Sequence, residues 1–217
     1  LTDNYSAWLT LPPNKQLLSE LADRYGYIIV CPDGGYRSFY LNSPVDKNSQ
    51  YETYITKELI PYVDKIYKTI PARKGRFITG LSMGGHGALY LAIRNPDLFQ
   101  AAGSISGVLD LTRKQADWIT KEMVKVLGDP VQHADWYKAH SVYYQTNKLK
   151  ASGLRVILDC GLKDFLYDIN REFHKKCLDE AIAHDYIERP GQHSWTYFSN
   201  ALEYHLVFFK KATEGRN

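Results

Sequence analysis

The sequence predicts an α/β fold: a mostly parallel β-sheet with helices on both faces. Three observations lead there. Short apolar runs alternate with stretches of 3.6-residue periodicity from one end of the chain to the other, the pattern of successive βα units. The runs Tyr27–Cys31, Gln100–Ile105 and Leu154–Cys160 are near-continuous rather than alternating, as strands buried on both faces require. The 217 residues, 44% hydrophobic and 24% charged, suffice for one sizeable core.

In chain order, a polar turn, Thr2-Asp3-Asn4, precedes Tyr5 and Trp8. Pro12-Pro13-Asn14 opens a helix in which Leu17, Leu18, Leu21, Ala22 and Tyr25 share a stripe, and Gly26 ends it. Tyr27–Cys31 reads as a strand stopped by Pro32-Asp33-Gly34-Gly35. Residues 36–50 form a loop with Tyr36, Arg37, Phe39 and Tyr40, at the strand end where such sheets place ligand contacts. Residues 51–68 read as a helix kinked at Pro61, with Ile55, Leu59, Tyr62, Val63 and Ile66 on one face. A strand through 76–80 and a helix ending at Asn95-Pro96 follow. Residues 107–148 read as a helical insertion over the sheet, with helices at about 115–127 and 133–145 around Gly128-Asp129-Pro130. After the strand at 154–160 come a helix over about 167–184, a short strand at 186–189 and a last helix over 198–213.

Composition narrows the function classes. A net charge of +3 is too small to indicate nucleic acid, and no run approaches a membrane span. No metal or nucleotide motif occurs, so no cofactor is expected. The 17 Tyr and 4 Trp suit a site that stacks on sugar or phenolic rings. The three cysteines, Cys31, Cys160 and Cys177, cannot all pair internally and read as buried free thiols, with a Cys160–Cys177 bridge open.

The chemistry centres on Gly80-Leu81-Ser82-Met83-Gly84, between an apolar strand and an Ala/Leu-rich helix. This is G-x-S-x-G in the strand–turn–helix context of an α/β-hydrolase nucleophile elbow. A turn that tight strains the serine backbone, leaves no room for side chains on either side, and lifts the hydroxyl to a helix N-terminus that favours developing negative charge. The serine needs an oriented base, and the chain order for this fold is Ser, acid, His. Asp159 lies inside a strand and Asp168 suits a helix N-terminus. Asp164, between them in the loop after the strand, is favoured as the acid. His193 follows the last strand and is favoured as the base over His86, which lies on the elbow helix. Met83 N–H is the first oxyanion donor, and the second is expected from the loop at Leu1 or Thr2. Tyr36, Phe39, Tyr40 and Trp195 are candidate substrate contacts.

Together with Asn95-Pro96-Asp97-Leu98-Phe99, Cys160-Gly161 through Asp164-Phe165-Leu166, and Pro190-Gly191 through His193-Ser194-Trp195, these motifs resemble the esterase D-like family of α/β-hydrolases, especially its bacterial feruloyl- and acetyl xylan esterase-like members. The resemblance implies a serine carboxylesterase with Ser82, Asp164 and His193 as triad and Leu1 and Met83 as oxyanion donors. It implies a small-molecule or oligosaccharide ester as substrate, such as feruloyl or acetyl esters of plant polysaccharide, and a secreted or periplasmic setting. It also implies strands before residue 1, so that 1–217 is expected to be a single, N-terminally incomplete domain. The alternative readings are an S-formylglutathione hydrolase or acyltransferase of the same fold, and a catalytically silent carbohydrate-binding protein. Oligomeric state is not legible.

Overall fold

The computed structural model describes residues 1–2, 8, 14–36, 38–114 and 117–214, without the side chains of 14 and 15. The expected contributions of residues 3–5, Pro12, Pro13 and Arg37 lie outside them. Four strands, β1 (Phe77–Leu81), β2 (Ala101–Ile105), β3 (Arg155–Gly161) and β4 (Asp185–Arg189), form one parallel sheet in the order β1-β2-β3-β4. Phe77 pairs with Ala101, Ala101 with Arg155, and Ile157 with Asp185. Each crossover carries at least one helix, as parallel pairing demands.

Helices cover both faces. On one side lie α1 (Asn14–Tyr25) and α8 (Trp195–Thr213), where Leu21, Phe198, Leu202 and Phe209 pack against Ile105 and Ile157. On the other lie α2 (51–66), α3 (Met83–Arg94), α6 (Thr146–Ser152) and α7 (Tyr167–Asp179), with Leu89, Leu149 and Phe173 in a cluster that includes Ala102, Val156 and Leu158. β2 is buried at every position and β3 at all but Arg155, which explains their unbroken apolar runs. Residues 107–148 carry α4 (Asp117–Leu127) and α5 (Ala134–His140). Their Leu111, Met123, Leu127 and Tyr137 join that second cluster.

The structure departs from the sequence reading in several places, and the expected helix over 133–145 ends at His140, before a separate turn over Val142–Tyr144. Tyr27–Cys31 is not a strand. A strand needs a hydrogen-bonded neighbour, and between this segment and β1 runs a groove of about 530 Å³, lined by Ile28, Val30, Val63, Phe77, Ile78 and Phe209 among others. Ile28 and Val30 are exposed as a result. The disturbance around Pro61 is a π-helical segment, Tyr54–Leu59, within α2, in which Ile60 N–H bonds back to Ile55 O. Proline has no N–H and crowds the preceding turn, and the wider helix accommodates it. α7 ends at Asp179 because Ala181 turns left-handed at φ 52°. Ile182 N–H then bonds Cys177 O and Ala181 N–H bonds Leu178 O, the paired bonds of a Schellman stop. Finally, α8 begins three residues early, at Trp195, because Ser194 caps it by accepting from Tyr197 N–H at 3.4 Å. All three cysteines are free thiols.

Candidate active site

β1 delivers the chain to Ser82, and α3 starts at the next residue. Ser82 sits at φ 55°, ψ −119°, a conformation that costs a non-glycine residue of order 1–3 kcal/mol and persists only where the surroundings impose it. Those surroundings are visible. Ser82 N–H bonds Ile105 O at 2.9 Å, and Ser82 O accepts from Gly85 N–H at 3.0 Å and Val108 N–H at 3.2 Å. A Cβ at position 84 would overlap the Leu1 carbonyl, and one at position 80 would overlap the Gly84 carbonyl, so both glycines are required by close approach. Met83 is the first residue of α3, and its N–H has no acceptor within the helix.

Leu1 lies alongside β1. Its nitrogen donates to Thr79 O, and its carbonyl accepts from Leu81 N–H at 3.1 Å. The nitrogen expected at the oxyanion is therefore bonded to the strand edge in this structure. Thr2 is tied to Tyr40, whose hydroxyl donates to Thr2 O at 2.6 Å and accepts from Thr2 N–H at 3.1 Å.

Asp164 and His193 come together from adjacent strand ends. His193 Nδ1 lies 2.8 Å from Asp164 Oδ2, and the Asp164 side chain is fully buried. The second carboxylate oxygen accepts from Leu166 N–H at 2.9 Å, which fixes the group's orientation. The imidazole is flanked by Phe165 at 4.6 Å and Phe198 at 4.9 Å between ring centroids. Among the described residues Ser82 Oγ makes no hydrogen bond with His193, so the structure brings Asp164 and His193 into contact, while Ser82 stands partly buried at the end of β1.

The competing residues have other work. His86 is fully buried, with Nδ1 at 3.2 Å from Phe39 O and Nε2 at 2.9 Å from His140 O. Burial lowers its pKa to about 4, against the pull of the two carbonyls. Asp168 occupies the first turn of α7. Asp159 is buried in β3 and bonded to Arg189 and Tyr197. Burial, with the Asp164 carboxylate nearby, pushes the Cys160 thiol up to about 12, so it stays protonated and is no rival nucleophile.

Two of the four expected substrate contacts are corrected. Phe39 and Tyr40 are 2% and 0% exposed. Phe39 packs on His86, and Tyr40 braces Thr2, so both are core residues. Tyr36 is exposed, and Trp195 is half-buried against Trp8, with ring centroids 5.3 Å apart. Sequence reasoning passed over Phe165, which is 59% exposed while resting on His193. Its place directly after Asp164 was the available signal.

The chain is similar to known proteins over most of its length. Residues 1–209 match the family described as "Putative esterase". An acetyl esterase of Caldicellulosiruptor saccharolyticus is 26% identical over 226 residues, covering 93% of this chain and 78% of its own. The fluorophosphonate-binding serine hydrolase F of Staphylococcus aureus superposes with a TM-score of 0.75 at 24% identity, over 89% of this chain and 75% of that one. A ferulic acid esterase structure gives a TM-score of 0.64 at 30% identity, over 80% of this chain and 64% of that one. The fold is that of the α/β-hydrolases, and the chain belongs to this esterase family as a carboxylic ester hydrolase.

Proposed function

We propose that this esterase hydrolyses acetyl- or feruloyl-type esters, carried on plant polysaccharide fragments, through a Ser82–His193–Asp164 triad and an acyl-enzyme. The observation that carries the reading is the Asp164–His193 pair, 2.8 Å apart, on the same sheet edge as the strained elbow serine. With Nδ1–H donated to Asp164, the imidazole keeps Nε2 as its proton acceptor. Ser82 Oγ attacks the ester carbonyl as its proton passes to Nε2, and the carbonyl oxygen becomes an oxyanion facing Met83 N–H. Leu1 N–H is the second donor in this reading, on release from Thr79 O. As the intermediate collapses, the bond to the leaving alcohol breaks and that oxygen takes the proton from Nε2. Water then repeats the sequence on the acyl-enzyme and frees the acid.

The acyl and alcohol classes are supported by the acetyl esterase and ferulic acid esterase relatives. A cavity of about 390 Å³ lined by Asp33, Asn48, Gln50, Tyr51, Tyr54 and Glu58 is suited to a hydroxyl-rich alcohol. It adjoins the Gly34–Gly35 turn that touches Thr2 and Tyr51. Polymer-derived substrates of this kind imply a secreted or periplasmic enzyme.

The experiment is intact mass after fluorophosphonate treatment with peptide mapping, followed by a panel of feruloyl sugar, acetyl sugar and S-formylglutathione. Stoichiometric labelling at Ser82 and preference for the sugar esters are expected, and Asp164→Asn should lower kcat by on the order of 10³–10⁴. Absence of labelling in folded protein overturns the triad, and preference for S-formylglutathione overturns the substrate class.

A further inference from the structure

His193 is held by more than Asp164. The loop that carries it, 190–194, leaves β4, and the Asp164 loop leaves β3. Beyond the strands the two loops remain laced, Leu162 N–H to Arg189 O at 2.9 Å and Lys163 N–H to Gly191 O at 2.8 Å. Beneath the lacing lies Asp159, 0% exposed. Its Oδ1 accepts from the Tyr197 hydroxyl at 2.5 Å and its Oδ2 from Arg189 Nη2 at 2.7 Å. The Arg189 guanidinium lies 5.1 Å from the Tyr197 ring centroid and 4.3 Å from that of Tyr204.

Tyr197 reaches this network from the first turn of α8, four residues after His193. Its ring also presses on the loop itself, since a Cβ at Gly191 would overlap it. One side chain thus touches the His193 loop with its face and the β3 carboxylate with its hydroxyl. A buried ion pair contributes little to stability compared with apolar packing, so its position between the two loops is the informative fact.

We propose that Tyr197, acting through Asp159 and Gly191, is a positioning residue that sets His193 at hydrogen-bonding distance from Asp164. This rests on the triad reading above. Tyr197→Phe keeps the ring against Gly191 and removes the hydroxyl, leaving Asp159 with Arg189 alone. A triad tolerates little displacement, and the lost bond should appear in turnover rather than in binding.

The test is a double-mutant cycle on ester hydrolysis with Tyr197→Phe, Asp164→Asn and the pair. Tyr197→Phe should lower kcat about tenfold, with KM changing by less than about twofold. In the Asp164→Asn background the same change should cost nothing further, because the contact it protects is already gone. Asp159→Leu, which removes the acceptor of the Tyr197 hydroxyl and leaves the Tyr197 ring against Gly191, provides a second arm with the same expected non-additivity if Tyr197→Phe folds poorly. Full activity of Tyr197→Phe, or an equal loss in both backgrounds, overturns the inference alone. An Asp164→Asn enzyme as active as the parent removes the triad reading and this inference with it.

Discussion

The Phe165 ring lies 4.6 Å from the His193 ring, between centroids, yet more than half of Phe165 faces solvent. An apolar ring beside His193, the base of the proposed triad, is a ready wall for an acyl or alcohol group. Phe165→Ala should lower kcat/KM for feruloyl esters by about tenfold, the upper range of an aromatic pair, and for acetyl esters by much less. Parallel kinetics on the two esters check this, and equal losses would assign Phe165 to imidazole packing only.

Gly84 has no space for a side chain, because the Leu1 carbonyl occupies it and Thr2 N lies 2.7 Å from the Cβ position. Gly84→Ala should push the Leu1–Thr2 segment off the elbow and slow fluorophosphonate labelling of Ser82 by on the order of a hundredfold. Labelling at the parent rate would show that this segment contributes nothing to the oxyanion.

Two buried histidines set an acid limit on stability. Burial lowers His86 to about 4, and lowers His205 to about 3, with Arg189 adding to the effect. His205 Nδ1 meets Thr79 Oγ1 at 2.7 Å, while Nε2 is buried without a partner among the described residues. The unfolded chain protonates both near 6.5, so from there down to about 4 it binds more protons than the native state. Stability therefore falls as pH drops through that window, by up to about 2 kcal/mol per histidine between pH 6.5 and 5. Urea titrations at pH 7 and pH 5 should show the drop, and His205→Gln should flatten it; an unchanged slope would refute the assignment.

Ala181 holds the left-handed stop of α7 with an exposed methyl group that strains the backbone. Ala181→Gly removes the strain without losing packing and should stabilise the protein by about 0.5–1 kcal/mol. A fall in the melting temperature would contradict the geometry.

The readable parts of this chain were those fixed by local chemistry. The elbow is written in the G-x-S-x-G spacing: a Cβ at Gly80 would meet the Gly84 carbonyl four residues on, although the clash at Gly84 is with distant Leu1. β2 and β3 are written in apolar runs that the sheet buries on both sides. Asp164 and His193 were singled out by loop position and chain order, and they lie 2.8 Å apart in the structure. What failed depended on partners distant in sequence. Tyr27–Cys31 has strand composition, but a ladder requires a neighbour, and the groove beside it supplies none. Phe39 and Tyr40 sit in a loop and are nonetheless buried, because His86 and Thr2 lie on top of them. The early start of α8 was legible in principle, since Ser194 is an ordinary cap.

Strand order follows chain order, and this divides the machinery. Ser82 belongs to the β1–α3–β2 stretch, whereas Asp164 and His193 belong to β3–α7–β4 and its flanks. Among the described strands these stretches meet along one ladder, from Ala101 opposite Arg155 to Ile105 opposite Asp159. The Asp164–His193 pair is therefore a product of one half of the chain, and in the proposed triad its alignment with Ser82 is a property of the seam. Under the proposed triad, ester turnover is in that sense an assembly gauge: it registers the docking of two half-sheets, and strain that opens the seam is expected to lower turnover before either half loses its own secondary structure.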